Sequence, residues 1–92
     1  MKTLIIVDLT PIDKEKLSEY SSLAAQTLEP YGGNFIAKGP IETLHGGSAF
    51  KVKAVIQFPN KDNAINWYNS DAYQAIIATR DEGMHSQFHL VS

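Results

Sequence analysis

The sequence predicts an α+β domain with the element order β-α-β-β-α-β, one unit spanning residues 1–92. Three observations carry that prediction. Residues 3–9, TLIIVDL, form a β-branched apolar run. Phe50 to Phe58 alternates apolar and polar with a period of two. The segments after each of these runs, 11–28 and 60–83, space their apolar residues at three and four, as helices do.

The first run is apolar on both parities, the pattern of a strand covered on both faces. Thr10 is expected to cap a helix that begins at Pro11, with Asp13 in the acidic position of a capping box. Leu17, Tyr20, Ala24 and Leu28 give that helix its apolar face, and Pro30 ends it. Gly32 and Gly33 are expected to supply positive φ angles at its exit. The segment NFIAKGPIETL, residues 34–44, reads as a strand interrupted at Gly39 and Pro40, hence bulged or at an edge. HGGSA, residues 45–49, is a turn. In the next strand Phe50, Val52, Ala54, Ile56 and Phe58 point one way and Lys51, Lys53, Val55 and Gln57 the other. Residues 60–83 are helical with a break near Asn69 and Ser70, and Gly83 ends them. The last strand sets Phe88 and Leu90 opposite His85, Gln87, His89 and Val91.

This order makes two split β-α-β units, a four-stranded antiparallel sheet with both helices on one face. The other face is left bare. Because the first strand is apolar on both parities, that bare face carries aliphatic side chains beside Lys51, Lys53, Gln57, Gln87 and His89. Its simplest cover is the same face of a second copy, so a homodimer packed sheet to sheet is expected.

Eight basic and ten acidic residues leave a net charge of −2, with the lysines scattered, a poor footprint for nucleic acid or an anionic membrane. No cysteine is present, which excludes disulfides, thiolate catalysis and cysteine-bound metals. The opening MKTLIIVDLT has too short an apolar run for a signal peptide or a membrane span. A cytoplasmic protein is the expectation.

Candidate site residues cluster on the second helical segment. Seven residues at about 100° each bring Tyr73 and Arg80 within about 20° of one another in projection, with Ile76 and Ile77 alongside. Arg80, the one arginine, thus falls on a core-facing stripe. It needs an acidic side chain, an aromatic face or a ligand there. Glu82 is the acidic side chain nearest to hand at the helix end. Tyr20, Tyr31, Trp67 and Tyr68 are candidates to line the same hollow as Tyr73 and Arg80 and to bind substrate. His45, in a glycine-flanked turn, is the candidate proton-transfer group, with Tyr73 and Arg80 completing the catalytic set. His85 and His89 lie about 13 Å apart on a strand, too far to share one ion, so no metal site is expected. Asp8 is placed to pair with Lys51 or Lys53 across the sheet. Neither glycine pair has the lysine and hydroxyl spacing of a phosphate loop.

The strings YGGNFIAKG (31–39), IETLHG (41–46) and VIQFPNKDNAINWYNSDAYQ (55–74), followed by Arg80, resemble the family called domain of unknown function 1330. The pattern falls on Tyr31, Gly32, Gly33, Gly39, Phe58, Pro59, Trp67, Tyr68, Ser70, Tyr73 and Arg80. The resemblance implies a ferredoxin-like protomer of the dimeric α/β-barrel superfamily. Relatives there include cofactor-independent monooxygenases, muconolactone isomerase and chlorite dismutase-like haem enzymes, but the family brings no established activity. Two functional classes stay open. One is a dimer that binds a small aromatic or keto-acid-like molecule, as a monooxygenase or isomerase without a cofactor. The other is a non-catalytic dimeric binding or scaffold module.

Overall fold

A computed structural model of the chain describes residues 2–92. Its elements are β1 (Thr3–Pro11), α1 (Lys14–Leu28), a 3₁₀ turn (Glu29–Tyr31), β2 (Asn34–Pro40), β3 (Val52–Phe58), α2 (Lys61–Tyr68), α3 (Asp71–Gln74), α4 (Ile77–Gly83) and β4 (Met84–Val91). The strands form one antiparallel sheet in the order β2-β3-β1-β4. This is the expected ferredoxin-like arrangement. It makes a slab of 32 × 30 × 16 Å, one sheet thick and one helix layer thick.

The odd positions of β1 decide which face the helices cover. Thr3, Ile5, Val7 and Leu9 are buried, as are Ala54, Ile56 and Phe58 of β3 and Tyr20, Ala24 and Leu28 of α1. The even positions Leu4 and Ile6 face the other way. With Val55 they form the half-buried aliphatic centre of the uncovered face. Asp8, from the same row, holds Lys53 at 3.2 Å and accepts a hydrogen bond from Gln87 at 3.1 Å. Burial pushes the Asp8 carboxyl up, but the hydrogen bonds from Gln87 and Lys53 and the Lys53 charge outweigh it and leave the pKa lowered.

Several boundaries differ from the sequence expectation, each for a local reason. Strand β1 runs through Thr10 and Pro11, which pair with His85 and Met84 of β4. Pairing with β3 has already ended at Leu9, so the N–H that Pro11 lacks costs no bond on that side. The cap of α1 is therefore Asp13, not Thr10, and its Oδ1 accepts from Lys16 N at 3.1 Å. Of the Gly32–Gly33 pair, Gly32 takes a positive φ, 70°, and Gly33 does not. Gly33 instead packs so closely that a Cβ would lie 2.7 Å from the Phe58 ring. Strand β2 stops at Pro40, and its register shifts between Phe35 and Ala37, as befits the edge that Gly39 and Pro40 suggested. Phe50 falls outside β3.

The second helical segment breaks twice. Ser70 marks the expected break: its Oγ donates to Trp67 O at 2.7 Å and accepts from Tyr73 N at 3.2 Å, ending α2 and starting α3 with one hydroxyl. A second interruption falls at Ala75 and Ile76, where Ile76 leaves helical geometry (φ −107°, ψ 3°). Helix α4 then packs tightly on α1. Gly83 carries the contact, because its O accepts from Ile12 N and Asp13 N at 2.9 and 3.2 Å. A Cβ there would lie 2.7 Å from Leu17 N and 2.9 Å from Leu17 Cα.

Glycine to alanine inside a helix ordinarily stabilises by up to about 1 kcal/mol. At Gly83 the added methyl meets backbone that cannot swing aside. Gly83→Ala is expected to destabilise the fold by about 1–3 kcal/mol in urea denaturation, and a stabilised variant would contradict this packing.

Candidate functional site

The site is assembled where α2, α3, α4 and β4 meet under one aromatic cluster. Asn60 caps α2 by accepting from Asn63 N at 2.8 Å, which sets the helix so that Ala64 and Trp67 face the sheet. Trp67 is sealed at 1% exposure and donates through Nε1 to Thr27 Oγ1 of α1 at 2.9 Å. Its ring lies 4.4 Å from that of Tyr73, centroid to centroid, and 5.5 Å from that of Phe58. The Ser70 cap and the Gln74 amide, which donates to Tyr68 O at 2.7 Å, fix the α2–α3 corner. Tyr68 and Tyr73 are thereby held with ring centroids 5.1 Å apart.

Arg80 reaches from α4 into this cluster. Its Nη1 donates to Tyr68 Oη at 3.0 Å and to Tyr73 Oη at 3.2 Å. Its Nε donates to Asp81 Oδ1 at 3.0 Å, and its guanidinium carbon stands 5.1 Å from the Phe88 ring centroid. The acidic partner is thus Asp81, not Glu82, which turns to Lys16 at 3.5 Å instead. Two neighbouring residues on one helix turn point apart, so Glu82 faces α1 while Arg80 faces the cluster. The Arg80 side chain is only 13% exposed. Burial opposes its charge, yet the hydrogen bonds to Tyr68 and Tyr73 more than offset that and raise its pKa, so it stays a cation.

Tyr73 is completely buried, and its Oη lies 2.7 Å from Tyr20 Oη of α1. Burial raises the pKa of both phenols; for Tyr20 the partner phenol adds to the effect, and for Tyr73 the hydrogen bonds with Tyr20 and then Arg80 temper it.

A surface hollow of about 440 Å³ opens between α2 and the edge strand β4, lined by Ile65, Tyr68, Arg80, Ser86, Phe88 and Leu90 among others. Nε and Nη1 of Arg80 are engaged. Nη2 has no partner among the described residues and is not sealed off, which leaves a charged donor edge at this hollow.

The predicted site residues therefore separate. Tyr68 and Arg80 share the hollow, Tyr73 sits behind them in the core, and Tyr20 joins them through Tyr73. Trp67 is interior packing. Tyr31 does not converge with them; it lines a broader depression of about 770 Å³ beside Ser70, Asp71 and Ile76, which contains no cation. The Tyr31 carbonyl holds Asn63 at 3.1 Å, fixing it at that end of the slab. His45 lies exposed in the irregular stretch between β2 and β3 and lines none of these hollows. His85 and His89 lie on the outward parity of β4, with His89 also bordering the Arg80 hollow at the sheet edge, and no cluster of three potential metal ligands occurs among the described residues. Among the described residues no helix is long and apolar enough to cross a membrane. Ser86 and Phe88 were missed as site residues, although their parity with Leu90 on β4 already aimed them under the helices.

The family described as "Domain of unknown function (DUF1330)" matches residues 2–92. No curated protein matches the chain in sequence. Among solved structures, a protein of unknown function from Rhodopseudomonas palustris superposes with a TM-score of 0.81 at 12% identity, over 98% of this chain and 80% of that one. A dimeric ferredoxin-like protein of unknown function from Jannaschia sp. CCS1 gives 0.77 at 11% identity, over 100% and 99%. SnoaB, a cofactor-independent oxygenase from Streptomyces nogalater, gives 0.72 at 8% identity, over 99% and 91%. At these identities the likeness is one of fold.

The buried phenols make a pH prediction. A folded-state pKa raised above the ordinary tyrosine value of 10.0 favours the fold below that pH, and the benefit is lost as pH rises through the folded value. Tyr20 is expected to stay protonated at pH 10 and to ionise only as the protein unfolds in stronger alkali, and Tyr73 to ionise above the ordinary tyrosine value. In an ultraviolet titration, Tyr20→Phe should leave the absorbance step near pH 10 unchanged; a smaller step would show that Tyr20 is open to solvent.

Proposed function

This chain belongs to the DUF1330 family, and from that premise we propose that it is a homodimer, joined through the uncovered sheet face, that binds a small organic anion in the hollow between α2 and β4. The observation that carries the proposal is Arg80. A guanidinium this buried, gripped by two phenols and an aromatic face yet with Nη2 uncommitted beside a concave surface, is built to meet a carboxylate or enolate oxygen. Ile65, Phe88 and Leu90 suit the aromatic or aliphatic body of such a ligand, and Ser86 adds a hydroxyl.

The chemistry that fits is enolate stabilisation. Arg80 offsets negative charge on a substrate oxygen, and Tyr68, whose hydroxyl accepts from Arg80 and lines the hollow, is the group placed to pass a proton. Such a site serves isomerisation of a keto-acid-like molecule. It also serves oxygenation by dioxygen without a cofactor, where the substrate's own carbanion is the reductant. The existence of a cofactor-independent oxygenase on the same fold supports the second use. In this scheme Tyr73 positions Arg80 from behind rather than touching substrate, and His45 has no part within one protomer. A purely binding role, with Arg80 as anchor and no turnover, uses the same geometry.

The dimer follows from the half-buried centre of Leu4, Ile6 and Val55 ringed by Asp8, Lys53, Gln57 and Gln87, an apolar core with a polar rim. A dimeric relative on this fold supports it.

Benzoate is expected to bind wild-type protein in calorimetry, and Arg80→Gln to weaken it at least about tenfold, the scale of one lost charged hydrogen bond. Benzamide binding should be indifferent to the substitution. Equal benzoate affinity in both proteins would remove Arg80 as the anchor. Light scattering should give twice the 10.2 kDa chain mass, falling to one chain in Ile6→Lys; a wild-type monomer at micromolar concentration would refute the dimer.

A further inference from the structure

The edge strand β2 carries a charge on the face of the sheet that the helices cover. Residues paired across an antiparallel ladder share a face, and Phe35, Lys38 and Pro40 pair with Ile56, Ala54 and Val52 of β3, the row that looks toward the helices. Simple alternation from Phe35 would send Lys38 to the opposite face. The register shift between Phe35 and Ala37 turns it inward instead, as bulges do when they re-aim a side chain. No carboxylate comes to meet it, since the ion pairs among the described residues belong to Lys16, Lys53 and Arg80. Its Nζ stands 5.5 Å from the Phe35 ring centroid.

Phe35 and Lys38 border a slot of about 170 Å³ between α1 and the sheet. Helix α1 stops short of β2, so Phe35 is 41% exposed while its ladder partner Ile56 is buried. The floor follows β3 from Val52 through Ala54 to Ile56, about 13 Å of strand, and Leu17 and Ala24 of α1 form the roof. So small a volume drawn out over that length suits a chain better than a ring. Tyr20 also borders the slot, with its hydroxyl engaged by that of Tyr73; the other polar side chains on the walls are Ser21 and Lys38.

We propose that this slot is a second binding site, for a monocarboxylate with an unbranched aliphatic tail. The tail lies along Val52, Ala54 and Ile56, and the carboxylate meets Lys38 at the sheet edge, where the Ser21 hydroxyl can share it. Burial of the tail supplies most of the affinity. Because Lys38 is exposed, its charge adds a modest preference for the acid over a neutral ligand of the same shape. An inward lysine on an edge strand also deters pairing with another sheet, a role that needs no ligand, and the test separates the two. Nothing in this site requires an anion at Arg80, although Phe88 borders both hollows.

The test compares octanoate with octanamide, which has the same tail and no charge, in an NMR titration of wild-type protein. The methyl resonances of Leu17, Ala24 and Ile56 report on the slot, and those of Ile65 and Leu90 on the Arg80 hollow. Octanoate is expected to shift the slot methyls and to bind there about threefold more tightly than octanamide, the scale of one exposed ion pair. Lys38→Met, at an exposed position, should erase that preference while both ligands still bind, and Arg80→Gln should leave it intact. Equal affinity of the two ligands for wild type would make Lys38 an edge guard alone and overturn the proposal. A preference that survives Lys38→Met, shifts confined to Ile65 and Leu90, or no shift at all would each overturn it too. Benzoate at Arg80 is read at Ile65 and Leu90, so neither test decides the other.

Discussion

A guanidinium that cannot shed its proton, drawn in among Tyr68, Tyr73 and Phe88, is the constraint around which the helical layer is arranged. The group must keep its hydrogen bonds to remain inside, so the three short helices of the second segment cannot slide independently. Ser70 fixes the corner that presents Tyr73, Gln74 ties that corner to Tyr68, and Gly83 lets α4 lie against α1 closely enough for Tyr20 to join. The same contacts that hold the helices on the sheet thus leave one edge of a cation free at a hollow. Structure and function share the residue.

Two cavities flank that arrangement and differ in chemistry. The outer one, between α2 and β4, presents the Arg80 charge; the inner one, under α1, is an apolar slot with Ser21 and Lys38 on its walls. Phe88 borders both. The opposite face of the sheet meets the outer hollow at its β4 edge, through Gln87 and His89, and carries its own logic, an aliphatic centre ringed by the Asp8–Lys53 pair and Gln87. One face of the slab therefore suits ligands and the other suits a second copy.

The strand order, the uncovered face and the position of Arg80 were legible because each rests on periodicity. The period-two run ending at Phe58 and the seven-residue step from Tyr73 to Arg80 carry that information locally. What was not legible depends on distance in space. Whether Thr10 or Asp13 caps α1 turns on how far β4 follows β1, a long-range pairing that the capping-box pattern cannot see. The turn from Glu82 to Asp81 as partner of Arg80 depends on Lys16 drawing Glu82 to α1. Tyr31 was grouped with the other tyrosines by residue type, yet the 3₁₀ turn places it at a different depression. The second interruption at Ile76 has no glycine or proline to announce it.

The central claim is that Arg80 and Tyr73 hold one another in the interior, and a double-mutant cycle on folding stability tests it most directly. Tyr73→Phe, Arg80→Met and the pair together isolate the coupling from the packing each side chain loses on its own. The account predicts a coupling of about 1.5–3 kcal/mol, the worth of a hydrogen bond to a charged group away from water. Additive effects, with coupling below about 0.5 kcal/mol, would mean that the guanidinium and the phenol are neighbours without a shared energy, and would contradict it.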